Sequence, residues 1–570
     1  MSINLNSRLS FNFIKNIFKS QITYILIFCF VLFIIGINWG LPSKYTWQSD
    51  SLAPKTPIYA GFQGFLPGYF HKYPIVHQVV LFIVNLPVLI FVFFTDHIFN
   101  SEKILSLTTF CTLIFENKLY LTILTFIDRF VSVVMGVLIV YFIYLSGKEL
   151  FNEKIGLFSA LIAAFNPVLN HYSHVAKVEV PYVFWAVLAL YLLIRIVKYD
   201  NKKDYILCAI FICLSFGTKD QGYAIFVLPI ILYLIIYQII FKEKDKNIIS
   251  VLFRKNFLIF MLVFVICTIV IENPIFNLEG LTRRINLLMG EGGTRSIAYS
   301  LGIKGIYALL IDTVLSMVRN NFGLPFFILI VSGFFIVLYS YRNDVKKILI
   351  ILIFFIASLS YYLFFVQIIR QSVDRFQLPI AVFLSIYGGY AIYFFYKIIN
   401  NKYKWILSLI LTCICIYSFY NTFSFNINLL FDVRYKTEKW IKKNIPEGSK
   451  IEIYSGYEYL PRFPENVKEY TVTIDDDILS IEQRNPDFLI LTSKYYPRFL
   501  YDIDQKSING RLSVTDKKLN FSRTDFNAFF KLLFQNKLNY ILLKRFDYDI
   551  KFFKHNGLTP DHILIYKRKG

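Results

Sequence analysis

Long runs of apolar side chains recur along most of this chain and limit what it can fold into. A helix needs about 17 to 25 predominantly apolar residues to cross the hydrocarbon core of a membrane. Such runs lie at 22–39, 123–145, 155–171, 180–197, 204–218, 221–241, 255–272, 323–341, 347–366, 376–398 and 405–423, with weaker runs at 79–94 and 104–115. Because the runs are continuous and do not alternate, we expect a polytopic α-helical membrane protein with 11 to 13 transmembrane helices. The content of 56% apolar residues also indicates a membrane protein.

The last part of the chain has the texture of a soluble domain. The segment TEKWIKKNIPEGSK reads as an amphipathic helix, and a further helix is expected at 524–535. Strands are expected at IEIYS, FLILTS, YILLKRF and HILIYKR. The chain therefore divides into a membrane domain over 1–423, with its first outer loop from about 40, and a small α/β domain over 424–570. We interpret the latter as a folded cap, since it has no cluster of acids or histidines and no glycine-rich loop.

Lysines and arginines in the short loops predict the orientation, because such loops stay on the cytoplasmic side. The clusters are Lys15 and Lys19, Lys148–Lys154, Lys198–Lys203, Lys242–Lys246, Lys346 and Lys347, and Lys397–Lys404. The opposite, extracytoplasmic face then carries Asp50, the segment from His171 to Glu179, Lys219 and the C-terminal domain. Much of the net charge of +22 lies in the retained loops, so we expect no nucleic-acid partner. All seven cysteines lie in apolar runs, which excludes a disulfide framework.

Two carboxylates from distant segments are the candidate catalytic acids. Asp50 follows the first apolar run in WGLPSKYTWQSD, and Glu179 ends the polar segment NPVLNHYSHVAKVE between two later runs. A carboxylate at an apolar membrane boundary loses hydration, which raises its pKa toward the range of a general base. The alternative is a solvated loop acid.

Basic residues on loops of the same face are candidates for binding a phosphate. They are Lys219 in FGTKDQG, Arg375 in QSVDRFQLP, and Arg295. Arginine suits a phosphate because its planar guanidinium donates to two oxygens at once. The alternatives are an interfacial arginine that reaches toward water and a simple hairpin turn at Lys219.

Other residues of the loops that carry Asp50 and Glu179 are expected to contact the acceptor or the sugar. These are His171, His174, Lys177 and Trp47. His171 and His174 share one face if helical, and with Glu179 they would suit a divalent metal. No stronger ligand spacing supports a metal, so hydrogen bonding is the favoured interpretation and a divalent cation stays an open alternative.

The segments that carry these residues resemble a known family. They are WQSD, KYPIVH, the stretch from DRFVSVV to VEVPYVFWAVLALYLLIR, FGTKDQGYAIFVLP, ENPIFNLEGLTRRI and DRFQLPIAVFLSIYGGY, and EKWIKKNIPEGSKI in the tail. Together they are similar to the GT-C glycosyltransferases that use polyprenyl-phosphate sugars, the family 39 or protein O-mannosyltransferase-like group that includes lipid A aminoarabinose transferases. The resemblance covers most of the chain.

This resemblance implies a reaction and roles for the residues. Asp50 matches the family's catalytic acid and is expected to deprotonate the acceptor for direct, inverting attack at the anomeric carbon. Glu179 stands where the family commonly has Asp, which keeps the charge and lengthens the reach. Lys219 and Arg375 match positions that are often basic and are expected to contact the lipid phosphate. The first loop lacks an adjacent Asp-Glu pair, which leaves metal use and the acceptor class open.

The implied donor is a polyprenyl-phosphate-linked sugar, and the acceptor is a lipid, a glycan or a protein. No nucleotide is expected, since the chain has no phosphate loop or Rossmann glycine pattern. The expected location is the plasma membrane of a bacterium or archaeon, in contact with membrane lipids. The alternatives are a lipid-linked glycan ligase or polymerase, and a transporter or flippase for a lipid-linked sugar. The transporter would want charges at the bilayer midplane and repeated halves.

Overall fold

The structure is a computed structural model of the 570-residue chain. It describes residues 20–42, 47–48, 51–52, 54–99, 107–240, 252–289, 298–464, 467–471, 481–500, 511, 522–555, 557 and 559–569.

Helices make up the first three quarters of the chain. In chain order they are α1 Gln21–Ile34, α2 Lys55–Gln63, α3 Val76–Phe99, α4 Leu107–Glu116, α5 Lys118–Leu150, α6 Glu153–Ala164, α7 Pro167–Ser173, α8 Glu179–Tyr199, α9 Lys202–Phe216, α10 Val227–Ile240, α11 Lys255–Glu272, α12 Leu278–Met289, α13 Ile303–Ser316, α14 Gly323–Ser340, α15 Val345–Ile351, α16 Ile353–Tyr361, α17 Gln367–Ile369, α18 Asp374–Ile398 and α19 Lys404–Leu430. Short 3₁₀ turns lie at Asp220–Ile225 and Asn401–Tyr403, and π-helical turns at Met317–Phe322 and Tyr362–Val366.

The membrane character of this part agrees with the sequence-based expectation. In the described ranges, seven helical segments are long and apolar enough to cross a membrane, or eight if the bent pair from Val345 to Ile369 is one span. Three shorter apolar helices add to them: Gln21–Ile34, Leu107–Glu116 and Asp220–Ile236. The chain is therefore a mostly helical, multi-pass membrane protein. The expected number of 11 to 13 spans is not confirmed.

Differences from the expected runs include a divided run and an additional helix. The run at 155–171 is interrupted between α6 and α7, where the Asn166 side chain caps α7 by accepting from the Leu169 amide at 2.8 Å. The helix α13 was not expected, because Asp312 interrupts its apolar pattern. The carboxylate of Asp312 is bound there by the Tyr299 hydroxyl at 2.8 Å and by Arg511 Nε at 2.7 Å. A distant arginine thus makes the charge tolerable in this helix.

The helices α8 and α18 form the centre of the bundle. In their most apolar stretches, 83% and 78% of the residues are buried, against 11% for α11 at the periphery. Small residues let the helices approach closely: a Cβ at Gly333 of α14 would lie 1.9 Å from the Tyr387 carbonyl oxygen of α18. The first residues of these two central helices, Glu179 and Asp374, lie at the same end of the bundle, which we call the site face.

A mixed five-stranded sheet forms the C-terminal domain. Its strands are β1 Lys450–Ile453, β2 Lys468–Thr471, β3 Phe488–Thr492, β4 Tyr540–Asp547 and β5 His562–Arg568, in the order β2-β1-β3-β5-β4. β1 runs parallel to β2 and β3, whereas β5 is antiparallel to β3 and β4. Helices α20 Val433–Asn444, α21 Ile481–Arg484 and α22 Ser522–Phe534 accompany it. The four expected strands and both expected helices are confirmed.

A buried polar junction joins the sheet domain to the end of the first membrane helix. Asp432 accepts a hydrogen bond from the Trp39 indole at 2.8 Å and pairs with Arg434 at 2.6 Å, and all three side chains are buried. The Tyr435 hydroxyl accepts from the Gly40 amide at 2.9 Å. A charge that is paired and hydrogen-bonded can be buried at low cost, so this junction fixes the sheet domain on the site face.

Candidate functional site

Three charged side chains from three distant segments meet at the site face. Glu179 begins α8, Lys219 follows α9, and Arg375 lies in the first turn of α18. Glu179 Oε1 is 3.1 Å from Lys219 Nζ and 3.7 Å from Arg375 Nη1. Glu179 and Lys219 are 2% and 7% exposed, so the pair is shielded from water. The structure therefore brings the second candidate acid together with two of the predicted phosphate-binding cations.

Aromatic rings support the two cations. Lys219 Nζ lies 5.5 Å from the ring centre of Tyr182 and 5.6 Å from that of Phe376, and the Arg375 guanidinium is 5.1 Å from the Phe376 ring. A desolvated cation is attracted electrostatically to the face of an aromatic ring, and the rings also restrict its position. The cations are thus held at the edge of the membrane without being neutralised entirely by acids.

Backbone hydrogen bonds tie the loops of the site face to one another. The Leu52 amide donates to the Ala176 carbonyl at 2.7 Å, and the Ser51 hydroxyl donates to the same oxygen at 3.4 Å. The Val76 amide donates to the Gly217 carbonyl at 2.9 Å. The residues that follow WQSD are therefore joined to the loop that carries Glu179, and KYPIVH is joined to FGTKDQG.

Lys219 is also held from its C-terminal side. The next residue, Asp220, lies 3.5 Å from Arg284 Nε, and Arg284 forms a second ion pair with Glu272. Arg284 is 7% exposed. This ion-pair network connects the 3₁₀ turn after Lys219 to α11 and α12, and so limits the movement of Lys219.

Two of the predicted site residues, Asp50 and Arg295, lie outside the described residues. Ser51, which follows Asp50 directly, is in contact with the loop that carries Glu179. The roles assigned to Asp50 and Arg295 stay predictions.

The two histidines of the second outer loop have different surroundings. His174 is 1% exposed, and its ring nitrogens contact the Asn170 and Ile35 carbonyl oxygens, both at 2.6 Å. It therefore ties this loop to the end of α1. The ring of His171 lies 5.7 Å from that of Phe425, and its Nδ1 has no hydrogen-bond partner in the described structure.

The remaining predicted contacts of the acceptor or sugar are buried. Trp47 is 3% exposed, with Arg434 4.0 Å and Arg462 5.0 Å from its ring centre, so its indole belongs to the junction with the sheet domain. Lys177 is 2% exposed and lies 5.7 Å from the Tyr172 ring centre. Direct contact of Trp47 with a sugar would require the junction to open.

The metal alternative receives no support from the described side chains. Among them, no group of three His, Cys, Asp or Glu residues is arranged to hold a metal ion. His174 in particular has both ring nitrogens against backbone carbonyls. The set His171, His174 and Glu179 is therefore not a preformed metal site.

A cavity of about 300 Å³ lies beside the charged cluster. Asp374 borders it, and this carboxylate also accepts from the Arg375 amide at 2.7 Å and interacts with the Tyr172 hydroxyl. Residues from both domains line the cavity: Gln48, Pro167, His171, Tyr172, Arg319, Asn320, Asp374, Asn421, Ser424, Phe425, Lys554, His555 and Gly557. Of these, only His171 is indicated by the sequence pattern. Asp374 had a signal, since it precedes Arg375 at the start of an apolar run.

His77 is a further residue near the site face that no sequence pattern indicated. It belongs to the KYPIVH segment, is fully buried, and has both ring nitrogens without a hydrogen-bond partner in the described structure. The preceding residue, Val76, donates its amide to the Gly217 carbonyl at 2.9 Å, so His77 lies beside the loop that carries Lys219. A histidine five residues after a lysine in an outer loop gives no such signal by itself.

Part of the chain matches the sequence model of a known family. Residues 124–271 match the sequence model of the family described as dolichyl-phosphate-mannose-protein mannosyltransferase. No curated protein matches the chain in a sequence search.

Several solved structures are similar over most of the chain. ArnT from Cupriavidus metallidurans in the apo state has 10% identity and a TM-score of 0.49, covering 98% of each chain. ArnT bound to undecaprenyl phosphate has 9% identity and a TM-score of 0.48, covering 96% of this chain and 98% of that chain. The Archaeoglobus fulgidus oligosaccharyltransferase with Zn and sulfate has 13% identity and a TM-score of 0.49, covering 95% and 88%. On the family match and its membrane helices, the chain is a membrane glycosyltransferase similar to the protein mannosyltransferases.

Proposed function

We propose that the protein transfers a sugar from a polyprenyl-phosphate donor to an acceptor at the extracytoplasmic face, with inversion at the anomeric carbon. The observation that carries this proposal is the buried cluster of Glu179, Lys219 and Arg375 at the ends of apolar helices. A family that takes its sugar from dolichyl phosphate agrees with such a donor. The site face is assigned to the outside because the loops rich in lysine lie at the other ends of the helices.

The cations would act on the leaving group. When the bond between the anomeric carbon and the phosphate oxygen breaks, the phosphate gains negative charge. Lys219 and Arg375 would stabilise that charge more strongly than the charge of the bound donor, which lowers the barrier. Glu179 would hold both cations in place before the donor binds. Arg295 is a third candidate for the same phosphate.

Asp50 would be the general base. It would take the proton from the acceptor hydroxyl while the hydroxyl oxygen attacks the anomeric carbon from the side opposite the phosphate. The products are the glycosylated acceptor, free polyprenyl phosphate and a protonated Asp50, which returns its proton to solvent. The contact of Ser51 and Leu52 with Ala176 supports this role, because it keeps the first outer loop beside Glu179.

The test is transfer of label from a radiolabelled polyprenyl-phosphate hexose to an envelope fraction from a strain that lacks the protein. Wild type, Asp50→Asn and Lys219→Met are compared, with Asp525→Asn as a control because Asp525 is an exposed acid of the sheet domain. Transfer by wild type and by the control, with loss in the two site variants, supports the proposal. Equal transfer by wild type and Asp50→Asn contradicts Asp50 as the base.

A further inference from the structure

The cavity beside Asp374 has the size and lining of a site for a polar ligand. Its volume of about 300 Å³ lies at the lower end of the range for small-ligand sites, about 300 to 1,000 Å³. Amide and hydroxyl groups of Gln48, Asn320, Asn421 and Ser424 line it, and they can exchange hydrogen bonds with the hydroxyls of a sugar. The rings of His171 and Phe425, 5.7 Å apart, add an apolar surface for a sugar ring.

Two cations face the cavity from different domains. Arg319 comes from the π-helical turn between α13 and α14, and Lys554 comes from the loop between β4 and β5. In the described part of the chain, neither side chain forms a hydrogen bond or an ion pair. The acid near Arg319 is Asp312, which is already bound by Arg511 and Tyr299. Both charges are therefore available to a ligand.

In the described ranges, arginines of the sheet domain are paired with acids, unlike Arg319 of the helical bundle and Lys554 of the β4–β5 loop. Arg434 binds Asp432, Arg462 binds Glu438, and Arg484 binds Glu452. The acid on the cavity wall, Asp374, interacts with Tyr172 and Arg375. The two cations thus outnumber the single acid, Asp374, that lines the cavity.

The loop that carries Lys554 is fixed on the membrane domain. The Asn428 side chain of α19 donates to the Lys554 carbonyl at 3.1 Å, and the Tyr420 hydroxyl donates to the Phe552 carbonyl at 2.7 Å. Within the loop, His555 contacts Thr559 at 3.0 Å and Asp561 at 2.7 Å. The wall formed by the sheet domain is thus preorganised, which lowers the entropic cost of binding.

We infer that this cavity is the acceptor site of the proposed glycosyltransferase, and that the acceptor is a sugar-containing molecule with an anionic group held between Arg319 and Lys554. The inference rests on the proposed function. Gln48 lies on the cavity wall two residues before Asp50, so an acceptor hydroxyl in this cavity is near the segment that carries the base. The sheet domain then takes part in acceptor recognition, contrary to the expectation of a cap without chemistry.

The experiment measures the KM for the donor and the KM for the acceptor, using the full-length protein in detergent. The donor is radiolabelled polyprenyl-phosphate hexose, and the acceptor is an envelope extract from the deletion strain. The double variant Arg319→Gln/Lys554→Gln is expected to raise the KM for the extract about 10-fold or more and leave the KM for the donor unchanged. Lys551→Gln, on the same loop, is the matched control, and Arg319→Lys/Lys554→Arg is expected to recover most of the activity.

The labelled product identifies the anionic group. It is expected to bind to an anion-exchange column. Loss of this binding after cleavage of phosphate esters with aqueous hydrogen fluoride indicates a phosphate, and loss after carbodiimide activation and borohydride reduction indicates a carboxylate.

Two results would overturn the inference. One is a neutral product, and the other is an unchanged KM for the extract in the double variant while wild type transfers sugar normally. Absence of any transfer by wild type is a different result, since it removes the proposed function itself.

Discussion

The Glu179 carboxylate lies 3.1 Å from the Lys219 ammonium, and this buried pair joins the beginning of one membrane helix to the loop that follows the next. Glu179 Oε2 has no hydrogen-bond partner among the described residues, and Arg375 lies 3.7 Å from the other oxygen. The pair therefore has a structural role as well as the proposed chemical one. Variants that separate these two roles are the most informative.

Removal of the lysine alone is expected to destabilise the protein. Lys219→Met leaves the Glu179 charge buried without its nearest cation. Removing one partner of a buried ion pair lowers the free energy of unfolding by about 3–5 kcal/mol. Glu179→Gln/Lys219→Met removes both charges and should recover most of that stability, while transfer stays low. Thermal unfolding of the purified variants by intrinsic fluorescence checks the first point, and the sugar-transfer assay checks the second. Recovery of transfer in the double variant would show that Lys219 is needed for folding only.

Arg375 is expected to matter for turnover more than for folding, since its contact with Glu179 is longer and its side chain is more exposed than that of Lys219. Arg375→Gln should lower kcat/KM by about 10²–10³-fold, the usual cost of removing one group that stabilises charge in the transition state. Arg375→Lys keeps the charge but loses the planar fork, and should lie in between. Steady-state kinetics with the polyprenyl-phosphate donor measures both. Arg342→Gln at the other end of the bundle is the control.

Asp50→Asn is expected to lower kcat by about 10²–10⁴-fold, because the acceptor hydroxyl loses its general base. Binding of polyprenyl phosphate should be nearly unchanged, since the amide keeps the shape of the side chain. Equilibrium binding of labelled polyprenyl phosphate, beside the transfer assay, separates the two effects. A parallel loss of lipid binding would mean that Asp50 organises the donor site instead.

Arg129 is expected to position the first outer loop. This buried residue of α5 donates from Nη1 to the Ile37 and Trp39 carbonyls, both at 2.7 Å. Arg129→Met should cost about 3 kcal/mol, since hydrogen bonds to a charged group contribute about 1.5–3 kcal/mol each and the two carbonyls lose their donor. Limited proteolysis should show faster cleavage between residues 40 and 55. Arg195→Met, which removes a more exposed ion pair with Asp204, is the comparison and should leave that loop protected.

Acidification is expected to loosen the loop between β4 and β5. Burial lowers the pKa of His555 and of His562 below the ordinary value of about 6.5. The unfolded segment then binds more protons than the folded one below pH 6.5, so stability falls as the pH decreases from there and the loss levels off below the lowered values. Hydrogen exchange of the 548–562 segment at pH 7.5 and 5.5, corrected for intrinsic rates, measures this. Equal protection at both pH values would contradict it.

The sequence was sufficient for the parts of the structure that repeat a simple pattern. Apolar runs located nearly all the membrane helices, and the strands of the sheet domain alternate or contain β-branched residues as expected. Glu179, Lys219 and Arg375 were selected because each interrupts or ends an apolar run, and the structure brings these three together. Their catalytic roles stay predictions.

The parts that the sequence did not reveal depend on long-range contacts. Helix α13 contains Asp312, whose partner Arg511 is 199 residues away. Arg319 and Lys554 resemble any exposed cation, and only the docking of the β4–β5 loop on α19 places both on one cavity. The burial of Trp47 between Arg434 and Arg462 likewise requires the fold of the sheet domain.

The contact of Asp432 with both Trp39 and Arg434 has a consequence for shortened versions of the protein. A chain cut before Asp432 keeps the whole helical bundle, yet it loses the acceptor for the buried Trp39 indole and the hydroxyl that binds the Gly40 amide. The loop that leads to Asp50 would then lose these contacts with the sheet domain. A minimal catalytic fragment therefore cannot be obtained by trimming the soluble end, and the two halves have to be inherited or engineered as a unit.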